Sequence, residues 1–458
     1  MARSVPGYLP NDRPGAGELV ALGLQHVVTM FPATVLVALL CGFHVDTVLL
    51  GAGVSTTVAL LLSRNTIGKF IPLFYGSSFS YIAAYLGVAQ AMGHTVRFGV
   101  PLPDEVLSVM QTGIIATGLI NVAVGIVVRR LGKAAIDRVL PPVVTGSIAC
   151  VIGFGLAKAA LDMAITVVPG YWGIALFTLL VTVGCSFLLQ GRGFLGMVPI
   201  LIGAAAGYLL TLAVAPEQLP FERVAAAPLL SVPHFTWPTL SGEMVVTAIF
   251  SIAIMAIATV PESTAHLYQM SLYVDRLADE MGRERYHLDR HVGFNLVCDG
   301  VGDVLHGIFG ATAGTNYGEN NSLMAITRNY SGPALMMAGA ICIVLAFVGK
   351  LSAAVGTIPV FVSGGLALYL FGVIGMQGIA LMQAHEVDLF DPLQLALGAV
   401  ILVIGIGGNI GYPGGFLPIT VPGLFPQGLP AIATSAIVGI VMNAAFGAMR
   451  RPAPVAAP

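Results

Sequence analysis

Runs of about twenty apolar residues recur along the whole of this 458-residue chain, and they decide what it can fold into. A run of that length crosses the hydrocarbon core of a bilayer as a helix. The remaining residues agree, since 57% are hydrophobic and only 9% are charged. A soluble domain carries about 25% charged residues. So few charges cannot solvate the surface, and most of it faces something other than water. The first run, from near Leu19, is not a plain signal peptide: Gln25 and His26 lie inside it and no A-x-A cleavage site follows. The formal net charge of −2 gives no nucleic-acid signal. The five cysteines fall inside apolar runs without C-x-x-C spacing and read as small buried hydrophobes.

Fourteen candidate spans follow, at 18–41, 45–63, 70–90, 108–128, 140–158, 170–190, 195–215, 244–268, 292–308, 316–330, 333–354, 358–380, 390–409 and 428–448. A Pro-rich segment, 216–242, and a charged one, 271–291, are the longest polar stretches between them. With the N-terminus in the cytoplasm, the outer loops hold only Arg97, Lys158, Arg223 and Lys350, so sixteen of the 20 Lys and Arg lie inside. That bias is the positive-inside rule, and an odd span count would scramble it. Both termini are therefore expected on the cytoplasmic side of the inner (cytoplasmic) membrane.

Fourteen divides into two sets of seven, and an odd number per half turns the second half upside down, the inverted repeat of many transporters. Weak internal similarity fits. Pro32 sits in span 1 and Pro261 in span 8, while "FYGSSF" opens span 3 and "TNYGENN" opens span 10. The last two stretches are poor helix formers followed by fair helices, at Ser80–Gln90 and Ser322–Ile326. Non-helical backbone at membrane depth must be buried in protein or line a cavity. A short extended piece in each repeat, paired with the other, meets that need. It leaves two half-helices with free N–H groups aimed at the midplane. An ordinary re-entrant or external loop is the alternative.

Ionisable groups inside spans are functional candidates because their burial is costly. Glu319 follows Gly318 at the proposed strand–helix junction. Glu262 and His266, four apart, share one face of span 8, and Pro261 is expected to bend the chain there. Asp299, Asp303 and His306 are similarly spaced on span 9, and the two aspartates read better as interhelical glue or a cytoplasmic-side gate than as ligands. Gln25 and His26 read as support within span 1. The glycine-rich "GIGGNIGYPGGF" at 405–416 lacks the Gly-Lys-Ser/Thr of a phosphate loop and reads as a close-packed helix end. There is no G-x-S-x-G, no H-E-x-x-H and no Cys/His metal cluster in the sequence, so no catalytic residue, metal or cofactor is expected and the chain reads as a carrier.

The stretches "LQHVVTMFPATVLV", "YGSSFSYI", "VPESTAHL" and "NYGENNSLMAITRNYS", in this order and spacing, resemble the motifs of the nucleobase–ascorbate transporters, the second type of nucleobase–cation symporters, and most closely their bacterial uracil-permease branch. The resemblance covers nearly the whole chain. It implies an all-α membrane protein of fourteen spans in two inverted seven-span repeats, 18–215 and 243–448. A cytoplasmic tail (1–17), an extracellular linker (216–242) and a second cytoplasmic tail (449–458) complete the chain. Spans 1–4 and 8–11 form a core domain, and spans 5–7 and 12–14 a gate domain. Short antiparallel strands lie in spans 3 and 10. The resemblance further implies proton-driven uptake and a homodimer. The span-10 signature, Gln/Glu/Pro-Asn-x-Gly-x-x-x-x-Thr, is matched at Glu319, Asn320 and Thr327. Ser322 stands where glycine is usual, which bears on helix packing there. By the same resemblance Glu262 binds substrate with His266 as its neighbour, the main chain at Phe79 and Ser78 meets the substrate, Tyr317 and Gly318 flank the binding strand, and Ala33 lines the pocket.

Uracil is flat and neutral, with two N–H donors and two carbonyl acceptors. Glu262 and Glu319 can accept the N–H groups, and main-chain N–H groups near Phe79 and Gly318 can donate to the carbonyls. A ring contact would come from Phe79 or Tyr317. A proton shared among Glu262, His266 and Glu319 would couple transport to the proton gradient. The expected function is proton-coupled uptake of a nucleobase, foremost uracil, by alternating access. The alternatives are a purine (xanthine or urate) permease and an anion transporter of the same fold. The expected partners are the nucleobase, the proton, the lipid membrane and a second copy of the chain, with no nucleic acid.

Overall fold

The computed structural model describes residues 7–132, 138–189, 198–421, 425 and 428–449. The apolar runs become helices, labelled here without the shortest ones. They are α1 (Ala16–Cys41), α2 (Val45–Ile67), α3 (Ile82–Ala91), α4 (Asp104–Leu131), α5 (Pro142–Gly155), α6 (Trp172–Leu188) and α7 (Pro199–Val214). The second half gives α8 (Glu243–Ala253), α9 (Ala256–Glu280), α10 (Val292–Phe309), α11 (Gly318–Thr327), α12 (Gly332–Ala346), α13 (Val360–Ala384), α14 (Pro392–Leu402) and α15 (Ala431–Met449). Eight described helical stretches are long and apolar enough to cross a membrane. A ninth is counted if α12 and the short helix Gly349–Val355, bent by 87° at their junction, form one span.

Local chemistry sets the ends. Gly42 and Gly68 close α1 and α2 in the left-handed conformation, each at φ 70°, and return their N–H groups to Ala38 and Arg64. Only glycine takes that turn without strain from a side chain.

The two irregular stretches form strands, β1 (Tyr75–Ser77) and β2 (Gly314–Asn316), which pair antiparallel as Tyr75 with Asn316, Gly76 with Thr315 and Ser77 with Gly314. The pairing runs one step further at each end: Ser78 N–H donates to the Ala313 carbonyl (3.0 Å) and Tyr317 N–H to that of Phe74 (2.9 Å). Every residue of both strands is buried. Each strand leads into a ten-residue half-helix, α3 or α11. The second begins at Gly318, four residues earlier than the expected Ser322, because Glu319 and the asparagines fall in its first turns rather than in a loop.

Span 8 differs from the expected limits in two ways. The helix continues through Pro261, which lies inside α9. The discontinuity is at Ile254–Met255, where tight i→i+3 bonds such as Ala258 N–H to Met255 O (2.9 Å) replace regular ones. Residues 271–280, taken as part of a polar loop, extend α9 to Glu280, whose last turns carry the Arg276–Glu280 pair. The 405–416 stretch is a close-packed helix end as expected, with Gly408 against Ala431 and left-handed Gly414 and Gly415.

The helices meet through small residues. A Cβ on Gly118 would stand 2.5 Å from the Gly300 carbonyl oxygen, and one on Gly125 2.6 Å from that of Gly293, so α4 and α10 touch backbone to backbone. Gly53 meets Gly339 in the same way between α2 and α12, and Gly146 meets Gly378 between α5 and α13. Close approach of this kind is how helices associate where lipid removes the hydrophobic drive. One large cluster of buried side chains runs through most of the helices. A small one, Ala164, Ile174, Ala175, Phe361 and Val362, sits between α6 and α13. A Gly118→Val change should therefore cost about 1–3 kcal/mol through forced separation of α4 and α10. Gly372→Ala, which meets nothing within 4 Å, should leave the thermal midpoint of the purified protein unchanged.

Candidate functional site

The paired strands are fixed by side chains from α9 and α10. Ser263 Oγ accepts from both Asn295 Nδ2 (2.7 Å) and Asn316 Nδ2 (2.8 Å), and Tyr75 donates its hydroxyl to Asn295 Oδ1 (3.1 Å). Asp303, buried on α10, accepts Gly314 N–H (2.7 Å) and Asn121 Nδ2 (3.0 Å). It satisfies a strand end and ties α4 to it. His306 Nε2 meets Ser55 Oγ at 2.9 Å. Asp303 and His306 thus hold helices together, the glue reading expected for Asp303.

His266 does not pair with Glu262. Its Nδ1 lies 2.9 Å from the Asn316 carbonyl and 2.7 Å from Asn316 Oδ1. A carbonyl only accepts, so Nδ1 carries the proton and Nε2 keeps its lone pair. That Nε2 faces the start of α11, 3.1 Å from where a Cβ on Gly318 would stand. The i,i+4 spacing put Glu262 and His266 on one face, but it could not reveal that β2 offers the imidazole a better acceptor.

Glu262 and Glu319 are both half-buried and lie within electrostatic reach of each other. Glu319 stands in the first turn of α11, where the helix N-terminus favours a negative charge. Helix geometry leaves the N–H groups of Phe79 and Gly318 without intrahelical partners. Ser78 is different: its N–H is taken by Ala313 and its hydroxyl accepts from Ser80 N–H (3.3 Å). Tyr317 is also committed. Its hydroxyl donates to the Ser77 carbonyl (2.9 Å) and meets Thr34 Oγ1 (2.9 Å), and its ring lies across Gly76, where a Cβ would come within 2.7 Å. Tyr317 therefore braces β1 against α1. Of the two candidate rings, Phe79 is the half-buried one, and it meets Phe371 of α13 edge-on at 5.9 Å. Ala33 is buried in α1. His26, on the same helix, receives Asn320 Nδ2 at its carbonyl and at Nδ1, both 3.1 Å. Ser322 is exposed and returns its hydroxyl to the Gly318 carbonyl (3.0 Å), so the departure from glycine costs no packing.

Sequence reasoning missed Ser263, Asn295, Asn316 and Phe371. The first three carried a signal, as uncharged polar residues in or beside apolar runs. Phe371 carried none, for a phenylalanine in an apolar helix looks like any other. Sequence spacing also hid the meeting of His44, Asp104 and His234 at one end of the bundle. There His234 Nε2 bonds Asp104 (2.9 Å) and stacks on His44 at 4.1 Å, which straps the 216–242 linker onto α2 and α4.

Apolar helices around a buried strand pair with two half-helices define a multi-pass membrane protein of the carrier type. Residues 17–412 match the profile of the Permease family, that of the xanthine and uracil permeases. The chain is 34% identical over 440 residues to the uracil permease of Bacillus caldolyticus, covering 94% of this chain and 93% of that one. It is 35% identical over 416 residues to the uracil permease of Escherichia coli (strain K12), covering 88% of each. Among solved structures, the fold resembles the murine Slc26a9 anion transporter in its inward-facing state, with a TM-score of 0.63 at 14% identity over 96% of this chain and 69% of that one. It also resembles the transmembrane domain of the cyanobacterial bicarbonate transporter BicA, with a TM-score of 0.56 at 16% identity over 95% of this chain and all of that one. The chain belongs to the nucleobase–ascorbate transporter family of permeases.

Ser263→Ala would strip the amides of Asn295 and Asn316 of their shared acceptor. Each buried donor left unpaired costs about 1–3 kcal/mol. The thermal midpoint should fall clearly, while Ser322→Gly should leave it within a degree or so of the parent.

Proposed function

We propose that this chain takes up uracil across the cytoplasmic membrane together with a proton. The observation that carries the reading is that Glu262 and Glu319, both half-buried, lie within electrostatic reach of each other, with Glu319 in the first turn of the half-helix that follows β2. The chain that holds them aligns along most of its length with uracil permeases. The two carboxylates accept the two N–H groups of the base. The open N–H groups of Phe79 and Gly318 donate to its carbonyls, and the Phe79 ring covers one face. The part left to Tyr317, Ser78 and Ala33 is to shape the strand ends and the α1 wall of the pocket. An analogue lacking one N–H leaves a carboxylate oxygen unpaired, which is the basis of selectivity. His266 Nε2, with its free lone pair beside Gly318, shares the coupling proton with Glu262 and Glu319.

The architecture we assign is fourteen spans in two inverted repeats, 18–215 and 243–448. The eight long stretches, the bent pair, the three shorter apolar helices and the two half-helices make up that number. A repeated packing pattern supports it: α4 packs on α10 as α2 packs on α12, and α8 on α4 as α1 on α12. Spans 1–4 and 8–11 act as the core and spans 5–7 and 12–14 as the gate, with Phe79 against Phe371 as a contact across them. Sliding of one on the other exposes the site alternately to each side. Both termini face the cytoplasm, and two copies assemble as a homodimer. The anion-transporter alternative is disfavoured by chemistry, since two nearby carboxylates repel an anion and likeness at 14–16% identity speaks to fold alone.

In sealed vesicles, an inward proton gradient should raise uptake of labelled uracil. Excess unlabelled uracil should abolish it, and xanthine or urate should not. Glu262→Gln should remove the pH dependence. Full pH-dependent uptake by that variant would refute the coupling scheme, and equal competition by xanthine would transfer the assignment to a purine permease.

A further inference from the structure

One sizeable cavity lies away from Glu262 and Glu319. It holds about 880 Å³ and lies where the ends of α4 and α9 meet the start of α10. Its lining includes Tyr268, Ser271, Leu272 and Asp275 of α9. At 3.6 residues per turn, these fall on the opposite side of α9 from Glu262 and His266. The cavity is therefore not part of the substrate site.

Its wall has two characters. Val128, Leu272, Val292 and Phe294 are apolar, and Leu272 is 72% exposed, so the opening is continuous with helix surface suited to lipid tails. Arg129 and Arg290 supply positive charge, and Lys69 lies with them within electrostatic reach of the His291 ring on the same wall. Among the described residues neither arginine has an ion-pair partner, and Arg129 only rests over the Phe294 ring at 6.0 Å. The acids of the cavity are already engaged. Asp275 accepts the N–H groups of Tyr286 (2.7 Å) and His287 (3.1 Å), and Asp289 accepts the Ser271 hydroxyl (3.1 Å). Asp275, His287 and Asp289 come close enough to hold a cation, but Arg129 and Arg290 on the same wall balance the two carboxylates and oppose one.

We propose that this cavity binds the head group of an anionic phospholipid, with Arg129 and Arg290 on the phosphate and the acyl chains leaving past Leu272. Guanidinium groups match phosphate oxygens in geometry as well as charge, and basic pockets between membrane helices take anionic head groups in this way. The site is independent of what the carrier transports.

Native mass spectrometry of the purified, delipidated full-length protein tests the assignment. Phosphatidylglycerol should bind one copy per chain at least tenfold more tightly than phosphatidylethanolamine. Arg129→Gln with Arg290→Gln should weaken that binding at least tenfold. Leu272→Asp, at the exposed mouth, should weaken it as well and serves if the double variant fails to fold. Undiminished phosphatidylglycerol binding in a folded variant would overturn the proposal, as would equal retention of the two lipids. Soluble glycerol 3-phosphate binding as tightly as the lipid would identify a free-anion site and overturn the lipid assignment.

Discussion

Extended backbone in the middle of an apolar bundle has to find its hydrogen bonds inside the protein. In this chain the requirement is met by two three-residue strands, each supplying what the other lacks. Their partners lie more than two hundred residues apart in sequence, so the pairing joins the first part of the chain to the second at its most vulnerable point. The surrounding polar residues complete it. Asp303 takes Gly314 N–H, Tyr317 caps the Ser77 carbonyl, and Ser263 gathers the amides of Asn295 and Asn316. Breaking two helices at one level frees N–H groups at Phe79 and Gly318 and brings Glu319 to a helix start near Glu262. The features proposed to recognise a base follow from the arrangement that keeps the backbone satisfied.

Much of this was legible in the residues. "YGSSF" and "TNYGENN" are too polar and too rich in glycine to be helix interior, and their pairing as strands follows from the need to satisfy backbone. Asp303 read as glue or a gate from its place beside Asp299 on one span, and the structure makes it glue. Other features were hidden for physical reasons. Proline marks a missing N–H but need not end a helix, and nothing in the sequence marked the discontinuity at Ile254–Met255. Helical spacing assigns His266 a face but not a partner, and Asn316 outcompeted Glu262. The charged segment after Gln269 looked like loop because its acids and bases were counted as solvated, whereas several pair along or beside the end of α9.

Ser322 shows how a departure from a family pattern is weighed. Glycine at a helix contact usually means that no side chain fits, and a serine there suggests displaced packing. The hydroxyl instead turns back to the Gly318 carbonyl on an exposed side of α11, so the change touches the space in front of the half-helix and leaves its seat intact. The likeness to anion transporters is one of fold alone. Two carboxylates favour a neutral ligand rich in N–H groups.

The most direct test of that claim is equilibrium binding of uracil, 1-methyluracil and 3-methyluracil to the purified protein. If the two carboxylates each hold one N–H of the base, either methyl group should weaken binding at least tenfold, the equivalent of about 1.4 kcal/mol. Binding of either methylated base as tightly as uracil would contradict the account.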